Sequence, residues 1–304
     1  MRLATSGSSG ASRRVVRTTA SWVSSFNPVA ALSGLDAASR MWVPGPLSAT
    51  MNLFAAVHAH RLGAALVGSP AEATHAQLTP AALGRLLDDG TPVAGLTLVV
   101  AGDRLGRALH DRAVAAGAVV HHYYGAAELS FVAWGPHADA LRPFPGADVE
   151  VRDGEVWVRS PYLSLGYDGP PGPLRRDADG FATVGDRGRL EDGRLVVLGR
   201  PDAVTTGGET VLVADVEAAL RELDAGELAV VGLPHPQVGE VVAAVVTRPR
   251  DGLVADARRL LPGPGRPRRW FALDRLPLTP AGKLDRAALV SLLTSPDGPA
   301  RPLV

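Results

Sequence analysis

The sequence predicts a mixed α/β protein of two domains, and three local patterns carry that expectation. Residues 95–102 (GLTLVVAG) read as a buried strand, residues 104–117 (RLGRALHDRAVAAG) have helical apolar spacing closed by a glycine, and residues 118–124 (AVVHHYY) read as the next strand, which makes a βαβ unit. Further on, DVEVRDGEVWVRS and GRLEDGRLVVLGR alternate apolar and polar residues around Asp153-Gly154 and Asp192-Gly193, the dipeptide that best signals a two-residue hairpin turn. Past Gly199 the pattern changes to a helix around VADVEAALREL and two strands, ELAVVGL and GEVVAAVVT, a set that makes a small α+β domain. The boundary therefore falls near residue 200, between an N-terminal domain over 1–199 and a C-terminal domain over 200–304.

Two further elements complete the outline. Thr79 is placed to cap a helix that starts at Pro80 and runs through AALGRLLDD. The last residues, SPDGPARPLV, are proline-rich and read as a loose tail. In βαβ units ligands collect at the carboxyl ends of the strands, which here are Gly102 and the Tyr124-Gly125 corner.

Composition narrows the function. At 304 residues and 46% hydrophobic content the chain is long enough for two packed domains. The balance of 31 basic against 31 acidic residues leaves no net field to attract nucleic acid or an anionic membrane, so small-molecule chemistry is expected. The absence of cysteine excludes disulfides, thiolate metal sites and a cysteine nucleophile. The N-terminal stretch MRLATSGSSGASRR lacks the apolar core of a signal peptide, and there is no apolar run of about 18 residues, so a cytoplasmic enzyme is expected. Lys283 is the only lysine in the chain; every other Lys or Arg position holds arginine. A compact, flexible point charge kept amid that drift suits a specific contact with one oxygen in a crowded site, although chance retention on a surface would look the same.

Five segments carry chemistry. Thr5, Ser6, Gly7, Ser8, Ser9 and Gly10, followed by Arg13, form a loop whose backbone can approach a ligand closely while hydroxyls and amides point at phosphate oxygens. It is not a Walker loop, because the Gly-Lys-Ser/Thr ending is absent, and by itself a flexible Ser/Gly tail has the same composition. YYGAAE, from Tyr123 to Glu128, offers an aromatic face for a base and a carboxylate for a hard cation such as Mg2+, or else a buried aromatic pair and a surface Glu. Asp186 in TVGD can accept hydrogen bonds from ribose hydroxyls. GRPDAVTTGGE contains Gly207-Gly208, which points to close passage of a ligand or to a bulge. PLTPAGK is a stiff turn that presents Lys283.

Taken together and in this order, the segments resemble the adenylate-forming superfamily of acyl-CoA ligases, peptide-synthetase adenylation domains and luciferases. TSGSSGASR resembles the family's phosphate loop, YYGAAE its Tyr-Gly-x-Thr-Glu motif, GEVWVRSPYLSLGY its hairpin signature and TVGD its ribose-binding Asp. GRPD resembles the hinge and PLTPAGKLDR the lysine motif, so the motifs extend from residue 5 to about residue 294. The resemblance implies a fold of adenylate-forming βα layers and hairpins, with a mobile C-terminal domain that carries the lysine. It also implies ATP-dependent activation of a carboxylic acid to an acyl-adenylate and transfer to CoA. By position, residues 5–10 with Arg13 hold the β- and γ-phosphates, Glu128 the Mg2+, Tyr124 and Gly125 the adenine side, and Asp186 with Arg200 the ribose. Lys283 contacts the α-phosphate and the attacking carboxylate; Asp202 is the hinge, and a thiol channel passes Gly207 and Gly208.

The GGE at residues 207–209 is closer to CoA ligases than to peptide-synthetase domains, and the chain is most similar to small bacterial ligases of the o-succinylbenzoate type. Four departures qualify the resemblance. Family members carry a long segment ahead of the phosphate loop, whereas here the loop begins at Thr5, which implies a lost or missing front subdomain. Ala127 replaces the motif's Thr and its hydroxyl toward the α-phosphate, Arg13 replaces a Lys, and Ser48 stands where many relatives have a gating His or aromatic. Two alternatives therefore stay open: a relative that binds nucleotide or a partner without completing catalysis, and an adenylating enzyme that loads a separate carrier protein.

Overall fold

The computed structural model describes residues 1–4, 13–169, 171–200, 203–278, 284–295 and 298–303. They divide into two compact units, one built from residues 1–4 and 13–200, the other containing residues 203–303.

The first unit is organised around a seven-stranded sheet. Its order is Ala65–Val67, Arg40–Trp42, His75–Leu78, Thr97–Val100, Val119–Ala126, Ser130–Gly135 and Arg142–Pro143, with the first five parallel and the last two added antiparallel. The central strands are continuous apolar runs because both faces are covered; Leu98 and Val100 are fully buried. The βαβ unit is present, with the helix Arg107–Ala115 crossing between Thr97–Val100 and Val119–Ala126. The helix Pro80–Asp88 starts as its sequence dictates: Thr79 accepts a hydrogen bond from the Ala82 N–H at 3.1 Å, and Pro80 fills a position whose N–H has no helical partner. One core brings together Trp22, Phe26, Phe54, Phe131, Phe144 and Tyr162 in mostly edge-to-face or tilted ring pairs, each large ring contributing on the order of 2 kcal/mol by leaving water.

A second, six-stranded sheet contains both predicted hairpins, Asp148–Arg152 with Glu155–Arg159 and Arg187–Glu191 with Arg194–Gly199. A third sheet is small but positions the site: Arg2–Ala4 pairs with Arg14–Val16, which pairs with Gly166–Asp168.

In the second unit the strands Leu228–His235 and Gly239–Val246 form an eight-pair antiparallel ladder. Alternation divides their apolar residues between two cores. Val230, Val242, Ala244 and Val246 pack with the helices Val213–Arg221 and Leu253–Leu260, while Val231, Leu233, Ala243 and Val245 pack with Leu289 and Leu293 of the helix Arg286–Thr294. Two expectations change here. The C-terminal residues are not a loose tail throughout, because Arg301–Pro302 pairs with the strand Arg269–Ala272 and the Leu303 N–H bonds to the Trp270 carbonyl at 2.8 Å. Gly207 and Gly208 form no bulge: both have positive φ (59° and 86°) and make the two-residue turn between Ala203–Thr206 and Glu209–Leu212. Among the described residues no helix is long and apolar enough to cross a membrane.

Candidate functional site

The site is assembled on the corner where the central sheet stops being parallel. Val119–Ala126 runs parallel to its neighbour through His122, then turns back into Ser130–Gly135 with an irregular register between Tyr124 and Gly125. Gly125 is required there: a Cβ would lie 2.1 Å from the Ser130 carbonyl oxygen. The turn closes with the Leu129 N–H on the Ala126 carbonyl at 3.1 Å and presents Tyr124 on its strand and Glu128 at its tip. Gly102, with φ of 91°, follows the adjacent strand Thr97–Val100, and so lies at the same edge.

Tyr124 reaches Asp186. Its hydroxyl donates to Asp186 Oδ2 at 2.7 Å, and Arg200 Nε donates to Oδ1 at 3.0 Å. The Asp186 and Arg200 side chains are only 13% and 14% exposed, so the pair is held away from bulk water. Asp186 follows the strand Ala182–Thr183, and its carbonyl accepts the Val156 N–H at 2.9 Å, which ties it to the hairpin. Burial, and then the Asp186 charge, raises the Tyr124 phenol well above its ordinary pKa, so it stays a donor. Each Asp186 oxygen still has one lone pair, and two acceptor positions are what a ribose diol requires.

Glu128 is 9% exposed, and its Oε1 accepts a hydrogen bond from the Tyr167 hydroxyl at 2.8 Å. Behind it lies Arg17, 2% exposed, whose guanidinium donates to the carbonyls of Ala127, at 3.2 Å, and Tyr162. Burial lowers the Arg17 pKa to about 10, opposed by the charge of Glu128. A lone, nearly buried carboxylate fits a cation such as Mg2+, which takes one or two protein carboxylates and fills its remaining positions with phosphate oxygens and water. Among the described residues no group of three His, Cys, Asp or Glu is placed to hold a metal ion.

The predicted phosphate loop, residues 5–10, lies outside the described residues, as do Asp202 and Lys283. Their surroundings are visible. Ala4 pairs with Arg14 across an antiparallel ladder, so the phosphate segment connects two strands and not a strand to a helix. Arg13 bonds through Nε to the Pro171 carbonyl at 3.0 Å. In the second unit, Leu278 and Leu284 form a β-bridge across residues 279–283, and the Asp285 N–H bonds to the Pro277 carbonyl at 2.9 Å. Asp285 also caps the helix Arg286–Thr294 through the Ala288 N–H, and Arg286 Nη2 pairs with the buried Glu217 at 3.0 Å, which fixes the segment that follows the lysine.

The structure therefore brings Tyr124, Gly125, Ala127, Glu128, Asp186 and Arg200 into one unit, while Gly207 and Gly208 form a turn in the other. Sequence reasoning missed Arg17 and Tyr167. Arg17 is one of thirty arginines with no local pattern; Tyr167 ends the segment GEVWVRSPYLSLGY, where its place in a strand pattern carries no chemical signal.

The sequence pattern of the AMP-binding enzyme family matches residues 3–168, and that of the AMP-binding enzyme C-terminal domain matches residues 215–283. A probable 2-succinylbenzoate–CoA ligase of Mycobacterium tuberculosis is 32% identical over 287 residues, covering 89% of this chain and 74% of that protein. The salicyl-AMP ligase/salicyl-S-ArCP synthetase of the same organism is 38% identical over 158 residues, covering 48% of this chain and 28% of that protein. Among solved structures, the amide bond synthetase McbA from Marinactinospora thermotolerans matches with a TM-score of 0.83 at 27% identity, over 97% of this chain and 69% of that one.

Proposed function

Because the chain belongs to the AMP-binding enzyme family, we propose that it activates a carboxylic acid with ATP and passes the acyl group to CoA through an acyl-adenylate. The observation that supports this best is the single corner shared by Tyr124, Asp186, Arg200 and Glu128, residues up to 76 positions apart that meet where a nucleotide binds in such sheets.

In the first half-reaction an oxygen of the acid attacks the α-phosphorus, the bond to the bridging oxygen breaks, and pyrophosphate leaves. In the second, the CoA sulfur attacks the acyl carbonyl, the thiol proton passes to solvent, and AMP leaves. Both barriers are electrostatic, since negative charge accumulates around phosphorus and then on the carbonyl oxygen. Asp186 and Arg200 orient the ribose, and the bond from Tyr124 to Asp186 fixes the ring that lies along the adenine. Residues 5–10 and Arg13 hold the outer phosphates, and Glu128 would hold Mg2+, which would supply neutralisation of phosphate charge. Lys283 places its ammonium between the α-phosphate and the incoming carboxylate. Asp202 serves as the hinge of the C-terminal domain, and Gly207 and Gly208 border the thiol path. A cytoplasmic location follows from the use of ATP and CoA.

The test is pyrophosphate release with ATP and Mg2+ against aliphatic, aryl and o-succinylbenzoate-type acids, each with free CoA, with a carrier protein and with neither. Release with one acid, and a thioester only with CoA, is expected. A thioester only on the carrier protein would move the acceptor to that partner, and silence with every acid while ATP still binds would leave a nucleotide-binding relative in which Ala127 has cost the chemistry. In the active combination Lys283→Ala is expected to slow adenylate formation by about 100-fold or more with little change in ATP affinity; an unchanged rate would remove the lysine from that role.

A further inference from the structure

The Tyr167 hydroxyl is a junction between two parts of the site. It accepts the Leu174 N–H at 3.2 Å and donates to Glu128 Oε1 at 2.8 Å. Its strand, Gly166–Asp168, lies against the strand that follows the phosphate loop, with Tyr167 opposite Val15. Residues 171–174 wrap the ring closely, since a Cβ on Gly172 would come within 2.3 Å of Tyr167 Cζ, and the same segment accepts the bond from Arg13 at Pro171. A continuous chain of contacts therefore runs from Arg13, through residues 171–174 and Tyr167, to Glu128.

Among the described residues, the bond from Tyr167 is the one hydrogen bond that the Glu128 carboxylate accepts. Arg17 is close enough to interact electrostatically, but its guanidinium donates to the Ala127 and Tyr162 carbonyls and to the Ser21 hydroxyl, and not to the carboxylate. A direct guanidinium pair would compete with a dication for the same oxygens. A neutral phenol fixes the rotamer through one oxygen and leaves the other for the cation.

We infer that Tyr167 is a positioning residue for Glu128, holding Oε1 so that Oε2 meets the cation carried by bound ATP. The inference rests on the proposed function, and specifically on Glu128 as the metal-binding carboxylate.

The experiment measures Mn2+ binding to the full chain by the loss of its free-ion electron paramagnetic resonance signal, in the presence of the α,β-methylene analogue of ATP, which cannot release pyrophosphate. Tyr167→Phe keeps the ring and removes the hydroxyl. Expected is about a tenfold weaker Mn2+ affinity, with unchanged affinity for the analogue in the absence of metal. In turnover, the Mg2+ concentration for half-maximal rate rises similarly while the rate at saturating Mg2+ is retained. Glu128→Gln provides the reference: it weakens Mn2+ binding by itself, and adding Tyr167→Phe to it produces no further loss. Wild-type Mn2+ affinity in Tyr167→Phe, with Glu128→Gln impaired, overturns the inference. So does a full additional loss in the double variant, or a fall in metal-free nucleotide affinity, since either would mean that the hydroxyl supports the fold and not the carboxylate. If Glu128→Gln binds Mn2+ normally, the metal assignment under the proposed function fails instead, and Tyr167 loses its object with it.

Discussion

Asp186 and Glu128, two carboxylates of the proposed site, are held by opposite means. Asp186 takes a charged donor directly, Arg200 at 3.0 Å, together with a phenol at 2.7 Å. Among the described residues Glu128 takes only a phenol, and its nearby arginine bonds to main-chain carbonyls. A carboxylate that serves as a hydrogen-bond acceptor gains from a guanidinium, which keeps it ionised and oriented while spare lone pairs face the ligand. A carboxylate that must receive a cation does better with an uncharged partner and a positive charge one layer behind. The same two residue types are thus combined in two ways, and the difference tracks the charge of what each is proposed to bind.

Asp186→Ala breaks the comparison most severely. It removes two acceptor positions for the ribose and leaves Arg200 and Tyr124 without their partner in a poorly exposed setting. ATP affinity measured by calorimetry is expected to fall about 100-fold, the effect of roughly 3 kcal/mol of charge-assisted hydrogen bonding, and wild-type affinity would exclude the ribose role. Arg17→Met sharpens the other half. It leaves the Ala127 and Tyr162 carbonyls unpaired, so the urea midpoint is expected to fall by about 2 kcal/mol equivalent, while ATP affinity measured well below the transition falls less than threefold. A loss of affinity as large as that in Asp186→Ala would show that Arg17 contacts ligand.

The smallest effect concerns pH. Burial pushes His58 and His122 down to about 4, so both are neutral in the folded protein at pH 5, where an unfolded histidine would hold a proton. Their stabilisation is complete above pH 6.5 and is lost as pH falls from 6.5 toward 4. The urea midpoint is expected to decline over that window, and His58→Leu to flatten the decline; an equal slope in the variant would place the titration elsewhere. His58 suits this test because its Nε2 has no hydrogen-bond partner among the described residues and its ring lies 4.7 Å from that of Phe26.

What was legible in the sequence follows the range of each interaction. The βαβ unit, the cap at Thr79 and the two Asp-Gly hairpins depend on periods and turns within a few residues, and all are present. The pairing of Arg301–Pro302 was not legible, because its partner strand lies some thirty residues earlier and proline gives no strand signal. The paired glycines at 207 and 208 were open to several readings until both flanking strands were known. For the site, Asp186 and Glu128 emerged because each sits in an ordered motif. The residues around Glu128 did not: Tyr167 bonds to it across 39 residues, and Arg17 bonds to the Ala127 carbonyl across 110, distances over which a single sequence carries no pattern.

The β-bridge between Leu278 and Leu284 joins the residues on either side of a short segment that bears the chain's single ε-amino group. For chemical labelling, that is a native attachment point. An amine-directed dye or acylating probe would mark that one side chain and the α-amino group, which peptide mapping tells apart, while thirty guanidinium groups stay silent. The extent of modification, read by mass, would then report how open that segment is in each ligand state, with no engineered handle.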